Sequence, residues 1–315
     1  VGGSGAAPWS FVVVGATVIY IILMSLVLTE SPTLKNHDLS VAMAHAKRGQ
    51  YALAVEDARR FAERRPDSPW GWTVSAGALL GLGRLEEALT EADRAVALGG
   101  TDYARIVRGS ALFGLGLFEE AYTDFRATSP ESLASSGTSY AYVLIGVRSL
   151  DDAVQFLTDP TWSSVGVTEH ALLGEAYRLL GDPESAAEAF GEAIRLARMQ
   201  APTGDTPWLA YCLAMMGDRD EARALAEDVL TREEDISALR VIALLAALRK
   251  DRDEAHEALR RTVLAWPRAA VDSLTDPQFT PLMGEKRFRD LLAWAIGAQR
   301  QRRERVRERF PHLFG

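Results

Sequence analysis

From Asp38 to Pro267 apolar and polar positions follow a helical period, interrupted at regular intervals by short turn signals. Five of these turns share a Gly followed five residues later by an Ala: Gly49 with Ala54, Gly83 with Ala88, Gly116 with Ala121, Gly181 with Ala186, and Gly217 with Ala222. Successive Gly positions are 34, 33, 65 and 36 residues apart, and 65 is close to two periods. Ala153 and Ala255 fall in similar contexts, RSLDDA and RDEA, without the Gly. The pattern therefore predicts an all-α chain of about seven helix pairs over residues 38–267.

One stretch departs from this pattern. WSFVVVGATVIYIILMSLVLT, from Trp9 to Thr29, carries no charge over 21 residues. As a helix it would measure about 32 Å at ~1.5 Å per residue, against a bilayer core of about 30 Å. Trp9 marks one end, where an amphipathic ring favours the interface, and Glu30 with Ser31-Pro32 ends the run. A cleaved leader wants a basic start and small residues before the cut, and neither is present. The expectation is a single transmembrane helix at 9–29, after an N-terminal tail (1–8) and before a linker (30–37). The flanking Lys35, Lys47 and Arg48 place the repeats on the cytoplasmic rather than the periplasmic side of a bacterial inner membrane.

The repeats have a specific likeness. ALLGEAYRLLGDPESAAEAFGEAI carries Leu173, Gly174, Tyr177, Gly181, Ala186, Phe190 and Ala193. Trp72, Ala88 and Ala95 fall at related positions of an earlier repeat, as do Gly109, Ala121 and Phe125 of the next. Pro66 and Pro267 close the first and seventh repeats. At this spacing the chain resembles tetratricopeptide (TPR) repeat proteins. The fourth repeat, Ser135 to Pro160, lacks most signature positions. The resemblance implies a right-handed solenoid in which small residues let paired helices approach, Tyr177 and Phe190 fill the space between them, and neighbouring pairs bury one another. It also extends to DPQFTPL, the start of C-terminal capping helices (268–299) in which Phe279, Pro281, Leu282, Phe288, Leu291 and Leu292 would pack on the last repeat. An Arg-rich tail (300–315) follows, with Arg300, Arg302, Arg303, Arg305, Arg307 and Arg309 set against Glu304 and Glu308. It reads as a solvated helix end or as a contact for anionic lipid or an acidic partner surface.

Composition narrows the function. A net charge of −8 argues against nucleic acid as a partner. The single cysteine, Cys212, lies in an apolar run and reads as a small buried side chain. His37, His45, His170, His256 and His312 are scattered without metal-ligand spacing, and neither a phosphate-binding loop nor a nucleophile turn is present. Acidic pairs such as Glu86-Glu87 and Glu119-Glu120 sit where second helices begin and suit the helix dipole. No enzyme activity, cofactor or metal is expected.

The resemblance also implies where a partner would bind. The first helix of each pair lines the concave face, which by spacing directs Trp70, Thr73, Tyr103, Ile106, Tyr142, Glu175, Arg178, Tyr211 and Arg240 toward the groove. Aromatic and Arg side chains are the usual anchors of protein interfaces. No Lys occurs between Lys47 and Lys250, so a Lys-based carboxylate clamp is not expected. The expected role is a membrane-anchored scaffold, an accessory or assembly subunit of a larger bacterial inner-membrane complex, with respiratory and photosynthetic assemblies among the candidates. The alternative is a membrane-tethered co-chaperone with transient clients.

Overall fold

The computed structural model describes residues 37–133, 136–160, 166–199, 206–232 and 235–314. The expected Trp9–Thr29 membrane helix lies outside these residues. Among the described residues no helix is long and apolar enough to cross a membrane.

Seven helix pairs form, with no strand among the described residues. They are α1 (His37–Lys47) with α2 (Tyr51–Arg64), α3 (Pro69–Gly81) with α4 (Leu85–Ala97), and α5 (Asp102–Gly114) with α6 (Phe118–Arg126). After the one-turn α7 (Pro130–Leu133) come α8 (Gly137–Gly146) with α9 (Leu150–Thr158), α10 (Val167–Leu180) with α11 (Pro183–Met199), α12 (Thr206–Met216) with α13 (Arg219–Arg232), and α14 (Ile236–Leu248) with α15 (Arg252–Ala265). The chain ends with α16 (Pro267–Leu274), a 3-10 segment (Pro277–Gly284), α17 (Lys286–Arg309) and a last 3-10 turn (Pro311–Phe314). The degenerate fourth repeat thus still forms two helices joined by a turn. The Arg-rich stretch is the second half of α17, in one element with the capping residues before it.

A common turn explains why the pairs form where they do. Each second helix can start only if the chain reverses sharply, which needs one residue in the left-handed region. Gly49, Gly83, Gly116, Gly181 and Gly217 take it, with φ from 70° to 92°. Arg148 and Lys250 take it in the two Gly-less repeats, both at φ 64°. The same two hydrogen bonds close all seven turns. At the third, for example, the Gly116 amide donates to the Phe113 carbonyl at 2.8 Å and the Leu117 amide to the Leu112 carbonyl at 2.8 Å. Five residues after each turn residue, Ala54, Ala88, Ala121, Ala153, Ala186, Ala222 and Ala255 are at most 4% exposed. A methyl group there lets the second helix lie close against the first. Gly174 serves the same end, since a Cβ at this position would sit 2.6 Å from the Phe190 ring.

The described residues divide into two compact units, 37–143 and 144–314. In the first, α1, α3 and α5 pack on one another in succession as well as on their own partners. In the second, α10, α12 and α14 do the same. The second helices of neighbouring repeats come less close. Within each unit the first helices therefore form the tighter, inner layer. Of the residues expected to pack on the last repeat, Phe279, Leu282, Phe288 and Leu291 are buried and Leu292 is half-buried. Pro281 departs from the expectation: lying inside the 3-10 segment, it faces solvent while its neighbour Leu282 turns inward.

Two substitutions should act in opposite directions. Arg148→Gly and Lys250→Gly relieve a left-handed side chain and should each raise stability by about 0.5–1 kcal/mol. Gly174→Ala forces a methyl into Phe190 and should lower stability by about 1–3 kcal/mol. Urea midpoints of the three variants, compared at constant m, check both directions.

Candidate functional site

In unit 144–314 the inner layer carries a buried charge network. Position six before the turn residue is Glu175 on α10 and Tyr211 on α12. Helical spacing puts Arg178 one turn beyond Glu175, and α14 brings in Arg240. The fifth member is Asp276, which follows α16 and caps the 3-10 segment by accepting from the Gln278 amide at 2.9 Å. Arg178 grips Glu175 with two nitrogens, Nε to Oε2 at 2.8 Å and Nη2 to Oε1 at 2.9 Å. Its Nη2 also donates to Asp276 Oδ2 at 2.5 Å. Arg240 Nη2 donates to Glu175 Oε1 at 3.1 Å and to Asp276 Oδ2 at 3.0 Å. Tyr211 Oη donates to Glu175 Oε2 at 2.7 Å, and the Arg240 guanidinium lies 5.1 Å from the Tyr211 ring centre.

Two cations face two carboxylates, so the cluster is neutral. Its acidic groups and the phenol are buried, with Glu175, Tyr211 and Asp276 7%, 2% and 3% exposed, while Arg178 and Arg240 stay partly exposed. Burial alone would raise the Glu175 carboxyl, but the Arg240 charge and the Arg178 hydrogen bonds outweigh it and hold the group down at about 2. Burial opposes the charge on Arg178 and Arg240 too. The Glu175 hydrogen bonds reverse this for Arg178, and the Tyr211 oxygen with Glu175 reverses it for Arg240, so both guanidiniums sit above their ordinary value. Tyr211 is pushed well up, chiefly by burial. Next to it Cys212 is a buried thiol that desolvation raises to about 12. The arrangement has the chemistry of a lock between three repeats and the capping segment. Both carboxylate oxygens of Glu175 are engaged.

The remaining expected groove residues lie in unit 37–143. Trp70 and Tyr103 occupy the same repeat position, thirteen before Gly83 and Gly116, and both are half-buried. Tyr142 is half-buried with its ring 5.7 Å from Phe113. Thr73 and Ile106 are not on the surface. Ile106 is fully buried, and the Thr73 hydroxyl donates to the Pro69 carbonyl at 2.9 Å. One residue position ten before the turn thus belongs to the packing layer. This unit has its own ties between repeats. Arg108 on α5 donates to Asp124 on α6 at 2.8 and 2.6 Å and to Asp93 on α4 at 2.7 Å. Arg59 on α2 donates to Glu91 on α4 at 2.7 Å.

In the tail, Arg300, Arg303, Arg305, Arg307 and Arg309 are exposed and Arg302 is half-buried. Arg303 stands 5.6 Å from the Phe314 ring centre and Arg309 5.3 Å from that of Phe310. Among the described residues no group of three or more His, Cys, Asp or Glu side chains could hold a metal ion.

Sequence reasoning brought four members of the lock to one face but missed Asp276. The signal was there: Asp followed by Pro is a strong start for a helical turn, and such a cap is held in a fixed place.

The network makes stability depend on pH. Glu175 is lowered on folding from its ordinary 4.5 to about 2. Its contribution is complete above the unfolded value and is lost as pH falls from 4.5 through about 2. It amounts to about 3 kcal/mol. Glu175→Gln leaves two buried cations against one carboxylate and should destabilise the neutral-pH protein by about 3–5 kcal/mol. Denaturant titrations of both proteins from pH 7 to 2 should show the gap between them closing across that window.

Comparison with known proteins agrees with this architecture. Two tetratricopeptide repeat models match, at residues 170–198 and at 208–233. These ranges are α10–α11 and α12–α13, the pairs that supply Glu175, Arg178 and Tyr211. No curated protein matches the sequence. Among solved structures, a tetratricopeptide repeat protein from Parabacteroides merdae is similar at 16% identity and TM-score 0.53, over 82% of this chain and 97% of that one. A chain of the APC/C hetero-tetramer Cut9-Hcn1 is similar at 15% identity and TM-score 0.56, over 91% of this chain and 54% of that one. The chain carries tetratricopeptide repeats within an all-α, TPR-like helical solenoid.

Proposed function

We propose that this chain is a membrane-anchored scaffold that holds other proteins, serving as an accessory or assembly subunit of a larger bacterial inner-membrane complex. The observation that carries the reading is the inner layer of first helices, on which Trp70 and Tyr103 recur at one repeat position as half-buried aromatics. Repeated rigid rings along one wall suit an extended protein segment, because each adds apolar contact for little lost rotamer freedom. Tyr142, six before its turn residue Arg148, adds a third half-buried ring at another repeat position, and Arg178 and Arg240 stay partly exposed in the second unit. The likeness in fold to a chain of a hetero-tetramer fits a subunit role. The uncharged run from Trp9 to Thr29 supports a bilayer anchor, and Lys35, Lys47 and Arg48 support a cytoplasmic solenoid.

Mild-detergent extraction of the full chain followed by mass measurement tests the reading. A scaffold should emerge in a fixed stoichiometric ratio with defined protein subunits. Substoichiometric, mixed clients would instead indicate a co-chaperone, and extraction alone in every detergent would contradict both. Trp70→Ala with Tyr103→Ala should weaken retention of the partner at least about tenfold, with helix content at room temperature unchanged.

A further inference from the structure

In the second half of α17, Arg302, Arg303 and Arg309 have neighbours that engage them, while Arg300 and Arg307 stand apart. The buried seam of this helix runs through Phe288, Leu291, Ala295 and Val306, which hold it to the preceding elements. One step round the helix, Ile296, Arg300, Arg303 and Arg307 follow one another at spacings of four, three and four residues, so they line a single side. All four are exposed, Ile296 at 43%. Arg300 and Arg307 make no hydrogen bond or ion pair among the described residues. Glu304 sits beside Arg300 and Arg307 at spacings of four and three, and Glu308 lies a further step round, so this side sets three cations against one carboxylate.

We infer that this side of α17 docks on the headgroups of an anionic bilayer. A guanidinium presents a planar fork that pairs with phosphate through two hydrogen bonds. A helix with basic side chains beside an apolar one lies in the headgroup region, where both kinds of side chain are satisfied. A protein partner with a negative surface would have to be brought in from outside, whereas the uncharged Trp9–Thr29 run supplies a bilayer within the same chain. The inference deepens the membrane-anchored reading and rests on it for what brings α17 to a surface.

Co-sedimentation of the full chain with two kinds of vesicle separates the two ideas. Binding to pure phosphatidylcholine reports the apolar segment, and the increment on vesicles with about one-third phosphatidylglycerol reports α17. The expected increment is at least about tenfold, since each basic side chain near an anionic surface adds a several-fold factor. It should vanish in 1 M salt, where the screening length is about 3 Å. Arg300→Gln, Arg303→Gln and Arg307→Gln together should abolish the increment, leaving phosphatidylcholine binding and melting unchanged. The corresponding triple Lys variant should retain most of it. Equal binding to both vesicles, an increment that survives the Gln variant, or an increment competed away by single-stranded RNA would overturn the inference. Loss of phosphatidylcholine binding with the increment intact would reject the anchor and keep the docking surface.

Discussion

A pair of short helices cannot cover its own apolar face, and every other feature of this protein follows from that shortfall. The pair must close tightly, so that its outer faces are shaped to receive the next pair. Tight closure requires a left-handed residue at the turn and a methyl-sized side chain five residues on. Both conditions hold in all seven pairs, including the two where Arg148 and Lys250 take a backbone conformation that Gly takes elsewhere. Local strain is accepted there because the stacking of neighbours over-determines the turn.

Stacking alone does not fix the chemistry of the inner layer, and the two units use that layer differently. In residues 37–143 it carries the half-buried rings of Trp70, Tyr103 and Tyr142, with Arg59 and Arg108 tying adjacent repeats together. In residues 144–314 the layer carries instead a neutral lattice around the buried Glu175 carboxylate. Such a lattice adds little net stability over apolar packing, yet it penalises every arrangement that separates its members. It therefore specifies how α10, α12, α14 and the capping segment meet.

The sequence made the turns visible because their requirement is local: a Gly and an Ala five apart report backbone geometry directly. Even the Gly-less repeats could be placed, since Ala153 and Ala255 mark helix contacts whatever residue bears the left-handed φ. The bonds within the lattice were much harder to see. Glu175 and Asp276 lie far apart along the chain, and nothing in the spacing between them states that one guanidinium will bridge both. The choice between wall and packing layer was equally indirect, turning on a rotation of one helix position, and it left Thr73 and Ile106 inside. Pro281 shows the same limit in the capping segment, where the helical pattern gives way to a 3-10 turn.

The central claim is that each pair is held chiefly by its neighbours in the stack. Phe61, 3% exposed on α2 between α1 and α3, is the place to test it. Peptide-resolved hydrogen exchange of Phe61→Ala should show the greatest loss of amide protection across α1–α3, fading through α4 to near the parent level in α5 and α6. Equal loss from α1 to α6 would mean a single shared core and would contradict the account.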